Sequence, residues 1–380
     1  YDSYQCRVGL GYTRIISRAN GVECDTTIFV PRGAEVELRR IRITNLGSAP
    51  VELDAIPLVE YSHPNALLQL TNADWVPQTM QSRPVELPGG RLVLLQYPFM
   101  RKDTAVNYFT SSFPVDSFET DRRIFLGGNE YGTWASPLSL QNERLSCSAA
   151  LRGDNVAALL LRLGTLAPGQ SVEFTTQLGQ APSLEAARPS IDHFFSPQAV
   201  EQAFRELAAF WDRCLSGLQV ETPDPALDAM LNVFNAYQCY ITYNWSRYLS
   251  LYQLGYGARG IGFRDSSQDV MGILALAPEE GRSLLRKLLS VQKRDGSAMH
   301  QFNPLSMEGS EGDSLERDDR PHYYSDDHLW IVLAVAEYLK ETGDLSFLDE
   351  EIPYYEKDRS GQPIETGSVF NHLCQAVEFT

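Results

Sequence analysis

The sequence lacks any apolar stretch of about 18 residues, the length that reads as a bilayer-spanning helix, so nothing in it is taken as a membrane span. Its six cysteines (Cys6, Cys24, Cys147, Cys214, Cys239 and Cys374) include no CxxC pair and no metal-ligand spacing. Cys214, Cys239 and Cys374 sit in helical patterns beside apolar residues. Buried thiols without disulfides, in a reducing cytoplasm, are therefore expected. No HExxH, EF-hand spacing, P-loop, GxGxxG or GxSxG occurs, which leaves metal, nucleotide and serine-hydrolase chemistry without a signature. Repeats and low-complexity tracts are missing too. So is a signal peptide: the chain opens Tyr1-Asp2-Ser3, with no Met, basic n-region or apolar h-region. Such an opening in mid-pattern leads to the expectation that these 380 residues are a piece of a longer protein.

Cations are also scarce. Lys and Arg number 32 against 49 Asp and Glu, a net charge of −17. A surface of that sign repels phosphate backbones and anionic lipid heads, which argues against nucleic acid and membrane as partners. Any anionic ligand then needs a local cationic site. Hydrophobic residues at 43% and charged residues at 21% are ordinary for a globular protein, which excludes a disordered or collagen-like chain. The length suits two or three domains, or one large barrel with an appendage.

Up to about residue 185 the pattern has the period of strands. Glu35 to Asn45 largely alternates polar with apolar and stops at Asn45-Leu46-Gly47-Ser48. Val51 to Ile56, Arg91 to Leu95 and Val156 to Leu163 read as further strands, separated by breaks such as Pro88-Gly89-Gly90 and Ala167-Pro168-Gly169-Gln170. An antiparallel sandwich is expected, with hairpins at Asn45–Pro50 and at Ala167–Gln170. After Ser196-Pro197 the period becomes helical, with Ala199, Ala203, Leu207, Phe210 and Trp211 on one face. Asp224-Pro225 and Pro278 open further helices. Ser325 is placed to cap a helix from Asp326 to Lys340 that closes before Gly343, and Thr366 to Phe379 reads as one more. Successive helices after a β domain suggest part of an α/α ring.

Three loops carry more polar and aromatic side chains than a solvated turn needs. The first runs from Tyr256 to Asp269 and contains Arg259, Arg264, Asp265 and Asp269 among glycines. Glycines let a ligand approach the backbone, and guanidinium and carboxylate groups grip vicinal sugar hydroxyls. The same groups equally suit an internal salt-bridge network. The second loop, Asp295 to Pro304, holds His300 and Gln301; an isolated histidine is usually structural. The third, Tyr323 to Trp330, places Asp326 and Asp327 at a helix start, where the helix dipole favours them. Adjacent on a helix, they point in different directions and do not form a paired acid and base. Composition and spacing stop at a β-plus-helical protein with a carbohydrate-type pocket.

Three stretches together resemble the inverting β-glycoside phosphorylases, the group holding cellobiose, cellodextrin, chitobiose and laminaribiose phosphorylases. They are Tyr4 to Ile15, the Arg259-Gly-Ile-Gly-Phe-Arg-Asp265-Ser-Ser-Gln-Asp269 loop, and Asp295-Gly-Ser-Ala-Met-His-Gln301 running on to Ser325-Asp-Asp-His-Leu-Trp330; Lys340 to Asp344 adds a less specific match. The resemblance implies a multidomain β plus α fold: a β-sandwich domain over 1–195 lacking its start, a helical linker over 196–222, and over 223–380 the first part of an (α/α)6 barrel. It implies reversible phosphorolysis of β-linked, cellodextrin-like gluco-oligosaccharides by inorganic phosphate, without metal or cofactor, in a cytoplasmic homodimer. Arg259 and Asp265 are implied to bind hydroxyls of the donor glucosyl unit, with Arg264, Asp269, Gln301 and Asp326 supporting the same wall. The family's general acid, an Asp in a Trp-Asn-Asp motif, and its phosphate-binding His and Thr are expected beyond Thr380. Where cellobiose phosphorylases carry a Gln-Arg pair, this chain has Asp74-Trp75, which favours a longer or differently linked sugar. Trp75 then stacks on a sugar face, or else serves as an ordinary core or dimer contact. An inverting hydrolase and a non-catalytic sugar-binding fragment stay open as alternatives.

Overall fold

The computed structural model describes residues 1–64, 74–99, 105–127, 133–247, 260–311 and 324–380. It divides into two units, Tyr1–Phe210 and Trp211–Thr380, and the division falls inside the helix Pro197–Leu215.

The first unit is built on two antiparallel sheets. Among the described residues the larger has eight strands, in the spatial order Ser3–Val8, Tyr12–Ala19, Val22–Phe29, Val36–Asn45, Ser171–Ala181, Val106–Ser111, Arg91–Pro98, Met80–Leu87. The smaller is centred on the long strand Asn155–Leu166. It pairs with Ser117–Asp121 on one side and with Val51–Ala55 and Leu58–Glu60 on the other. Ile41, Leu94, Phe109 and Phe174 from the large sheet meet Val59, Phe118, Ala157, Leu159 and Leu161 from the small one, so the sheets enclose one core. On the other face of the small sheet Val156, Ala158 and Leu160 pack on Phe125, Leu126 and Leu145. Because both faces of the Asn155 strand are covered, its sequence is a continuous apolar run and not an alternating one.

The two turns expected as hairpins are corners between sheets. Val36–Asn45 lies in the large sheet while Val51–Ala55 lies in the small one; Asn155–Leu166 and Ser171–Ala181 are divided the same way. Period-two patterning cannot distinguish these cases, since a hairpin and a corner demand the same turn residues. Asn45, buried, ties the corners together. Its Nδ2 donates to Ala49 O at 2.8 Å and Leu166 O at 2.9 Å, its Oδ1 accepts from Gly47 N at 2.8 Å, and its carbonyl accepts from Gly169 N at 2.8 Å.

In the second unit a helical run extends from Pro225 to Ser246, opened by Asp224 accepting from Ala226 N at 2.9 Å. It is interrupted by two π turns, Met230–Asn235 and Thr242–Ser246. Leu227, Met230 and Phe234 project outward, while Tyr237 and Tyr240 lie against Trp211. Helices Phe263–Ile273, Pro278–Leu289 and Asp327–Thr342 share a core containing Phe263, Val270, Leu285, Leu288, Ile331 and Val335. Gly343, at φ +68°, ends the third of these as anticipated. Two boundaries move. The residue at the N-terminal boundary of that helix is Asp326, without a side-chain cap, and not Ser325. Thr366–Ser368 is a strand paired with Glu351–Pro353, and the last helix is Val369–Glu378, capped by Ser368. None of the six cysteines, all among the described residues, forms a disulfide, but only Cys214 is fully buried; Cys6 and Cys147 are exposed. Cys6 lies on an edge strand and Cys147 in a surface loop, where burial has no core to offer.

Replacing Asn45 with Ala removes a buried amide and strands the carbonyls of Ala49 and Leu166. The expected loss is about 2–3 kcal/mol of stability in the first unit, read from urea unfolding followed by near-ultraviolet dichroism.

Candidate functional site

Two segments distant in sequence are joined at the start of helix Phe263–Ile273. Ile261 pairs with Phe302 and Gly262 with Gln301 in antiparallel register, Gly309–Ser310 adds a third strand, and Phe263 N donates to His300 O at 3.0 Å. Gly260 fits this pairing because its φ is +79° and a Cβ there would lie 2.4 Å from Phe302 O. The pairing sets Arg264 and Asp265, in the first helical turn, beside the loop that carries His300 and Gln301.

Charged groups then converge from four elements. Arg264 Nη1 donates to both oxygens of Asp326, at 3.0 and 2.8 Å, and Trp330 Nε1 donates to Asp326 Oδ2 at 3.1 Å. The Trp330 bond first, and then Arg264, hold the Asp326 carboxyl below the usual aspartate range, with burial opposing them. Asp269, one helical turn after Asp265, is bound by Arg247, whose Nε lies 3.0 Å from Oδ2. Burial dominates at Asp269 and pushes its pKa up, with Arg247 opposing. Arg247 also reaches Asp265, at 3.9 Å. His300 Nδ1 lies 2.8 Å from Oδ2 of Asp327, whose pKa burial raises and this bond lowers.

Of the residues singled out in the sequence, Arg264, Asp265, Asp269, Gln301 and Asp326 fall within this one wall. Arg264, Asp269 and Asp326 spend their charges on one another and on Arg247, as an internal salt-bridge network does. Asp265 keeps a third of its side chain exposed and, among the described residues, has only the long contact with Arg247. Gln301 is half-buried and makes no side-chain hydrogen bond among the described residues. Arg259 lies outside the described residues. Trp75 stands in the first unit at the start of the turn Val76–Thr79, with 61% of its surface exposed. Sequence reasoning missed Arg247, whose only signal is a cation closing the helical run before the glycine loop. It also passed over the pairing of His300 with Asp327, which no spacing announces. Among the described residues no group of acidic, histidine and cysteine side chains is arranged to hold a metal ion.

Residues 1–197 match the supersandwich domain of glycosyl hydrolase 94, and residues 210–380 match the catalytic domain of the glycosyl hydrolase 94 superfamily. The chain belongs to the glycosyl hydrolase 94 family. It is 30% identical to an N,N'-diacetylchitobiose phosphorylase of Vibrio furnissii, over 99% of this chain and 47% of that protein. It is 27% identical to a solabiose phosphorylase of Paenibacillus borealis, over 100% of this chain and 44% of that one. The chain thus spans about half the length of these relatives. A bacterial glucoamylase solved with acarbose shares the fold at a TM-score of 0.50 and 10% identity, over 97% of this chain and 56% of that chain. A β-sandwich followed by part of an (α/α)6 barrel, the architecture expected from the sequence, is that of this family.

Asp326 offers a test of the network. A carboxylate whose pKa is lowered on folding stabilises the protein above its unfolded value, and that contribution is lost as pH falls through the folded value. Asp326→Asn is expected to flatten the decline of stability below about pH 4, measured by urea unfolding from about pH 6 downward. Parallel curves for variant and wild type would show that the Arg264 pair contributes nothing.

Proposed function

We propose that this chain is the sandwich and donor-sugar part of an inverting glycoside phosphorylase acting on β-linked gluco-oligosaccharides. The observation that carries the reading is likeness along essentially the whole chain to phosphorylases of this family, together with a partly exposed carboxylate, Asp265, in a charged wall whose other carboxylates are drawn into internal pairs. Asp265, with Arg259, grips hydroxyls of the terminal glucosyl unit. Arg264, Asp269, Gln301 and Asp326 hold the wall around it, and Trp75 is a stacking surface for the acceptor end. A cation and a carboxylate acting together fix hydroxyls and favour a flattened, oxocarbenium-like ring.

In the reaction proposed, a carboxylic acid supplied beyond Thr380 protonates the glycosidic oxygen while inorganic phosphate attacks the opposite face. The products are α-glucose 1-phosphate and a sugar shorter by one unit. An inverting hydrolase needs a second carboxylate to activate water. Phosphate is already an anionic nucleophile, and a carboxylate beside it would repel it. Neither metal nor organic cofactor is needed. We place the enzyme in the cytoplasm as a homodimer, with cellodextrin-like substrates; the varied disaccharides named for the relatives make linkage the first thing to measure.

The full-length protein, given inorganic phosphate and a panel of cellobiose, cellotriose and laminaribiose, is expected to release α-glucose 1-phosphate only when phosphate is present. Glucose released independently of phosphate would establish the hydrolase instead. Sugar binding without turnover would establish a binding protein. Asp265→Asn is expected to lower kcat/KM by about 10²-fold or more. A value within twofold of wild type would remove Asp265 from the site.

A further inference from the structure

We infer that His300 and Asp327 form a sugar-hydroxyl-binding pair in the same wall, in which Asp327 fixes the imidazole and His300 Nε2 makes the contact. This inference rests on the carbohydrate reading of the site given above.

Three restraints hold the ring. Nδ1 lies 2.8 Å from Asp327 Oδ2, the Tyr324 ring stacks on it at 3.8 Å and 18°, and the His300 backbone is bonded to Phe263. An ionised carboxylate only accepts, so Nδ1 carries the proton in this bond. In the neutral ring Nε2 is then left as a lone-pair acceptor, its tautomer set by its partner. Among the described residues Nε2 has no hydrogen-bond partner, although the His300 side chain is 28% exposed.

The other described histidines of this unit differ. His372 is wholly buried and uses both nitrogens, toward Gln292 Oε1 at 2.7 Å and Ile352 O at 3.0 Å. His328 is buried and bonded to Thr380. Those are core histidines. His300 instead presents a fixed, unused polar atom at a surface.

Asp327 points the same way. Its side chain is 2% exposed, and among the described residues Oδ1 accepts no hydrogen bond; Arg264 Nε stands 3.9 Å away. A first-turn carboxylate gains from the helix dipole while remaining solvated, so burying it is not required by the helix. Burial costs free energy that a single histidine bond only partly offsets. The cost has a purpose if the carboxylate's task is to orient that histidine.

The charge balance selects the ligand. Among the described residues four carboxylates (Asp265, Asp269, Asp326, Asp327) face two guanidiniums (Arg247, Arg264), and Arg259, which the proposed function adds, still leaves one carboxylate in excess. A wall with that excess repels an anion but accepts a neutral polyol, whose hydroxyl donates to Nε2.

The test is a titration of the full chain, carrying 15N-labelled histidine, first with D-glucose and then with sodium phosphate. The free protein is expected to show His300 with its proton on Nδ1, and glucose to shift the Nε2 resonance. His300→Ala should raise the glucose Kd by about tenfold, the scale of one lost hydrogen bond to a fixed partner. His300→Gln, whose amide reaches the place of Nε2, should recover part of that loss and serves as the folded control. Asp327→Asn should lose the single tautomer. If Asp265→Asn weakens glucose binding while His300→Ala leaves it within twofold, the inference fails and the sugar site stands. If phosphate moves Nε2 and glucose does not, an anion is the ligand and the inference is overturned. If glucose responds to neither variant, the carbohydrate reading falls and this inference with it.

Discussion

Phe263 donates its backbone N–H to His300 O at 3.0 Å, and the Ile261–Gly262 strand lies in register with Gln301–Phe302. The charged wall depends on these few bonds. A two-residue strand pair has little stability of its own. It persists because Ile261, Phe263 and Phe302 are each buried in the helical core. The apolar side chains fix the backbone, and the backbone then sets the polar ones. Gly260 belongs to the same constraint, since any Cβ there would push the strands apart.

Neutralisation within the wall is selective. Asp326 and Asp269 each have a guanidinium, and Asp327 has an imidazole. Desolvation raises the pKa of the two deeper carboxyls, Asp269 and Asp327, and their partners hold it in check. Among the described residues Asp265 has only the 3.9 Å contact with Arg247, and it stands in the first turn of a helix. With that one long contact among the described residues, it can offer its oxygens to a ligand. The rigid pairs around it keep it from collapsing onto a neighbour.

Much of this was legible in the sequence, and for identifiable reasons. Period-two and helical patterns located several of the sandwich strands and helices because burial on one face imposes those periods. The pattern fell short where burial is not one-sided. The Asn155–Leu166 strand is covered on both faces, and the corners at Asn45 and Gly169 exchange sheets through turn chemistry that hairpins share. At the site, the Arg264 to Asp269 segment stood out by residue type but was read as part of a loop, whereas it forms the first turns of helix Phe263–Ile273. The network binding it was not visible, because Asp326 and Arg247 reach it from other elements by tertiary contact. His300 looked like an isolated histidine, and only the structure shows the buried carboxylate behind it.

Arg247 shows how a local backbone irregularity serves the same wall. It comes directly after the π turn Thr242–Ser246, the second of two in the run that begins at Pro225. A π turn accommodates about one residue more than an α turn, and each added residue rotates the remainder of the helix by about 100°. Had the run been uninterrupted α-helix, Arg247 would be turned by about 200° from its present direction, away from Asp269. The buried Asp269 carboxylate would then lack this cation, which is costly for a buried charge. The irregular helix and the ion pair occur together, and that pair backs the helix that carries Asp265.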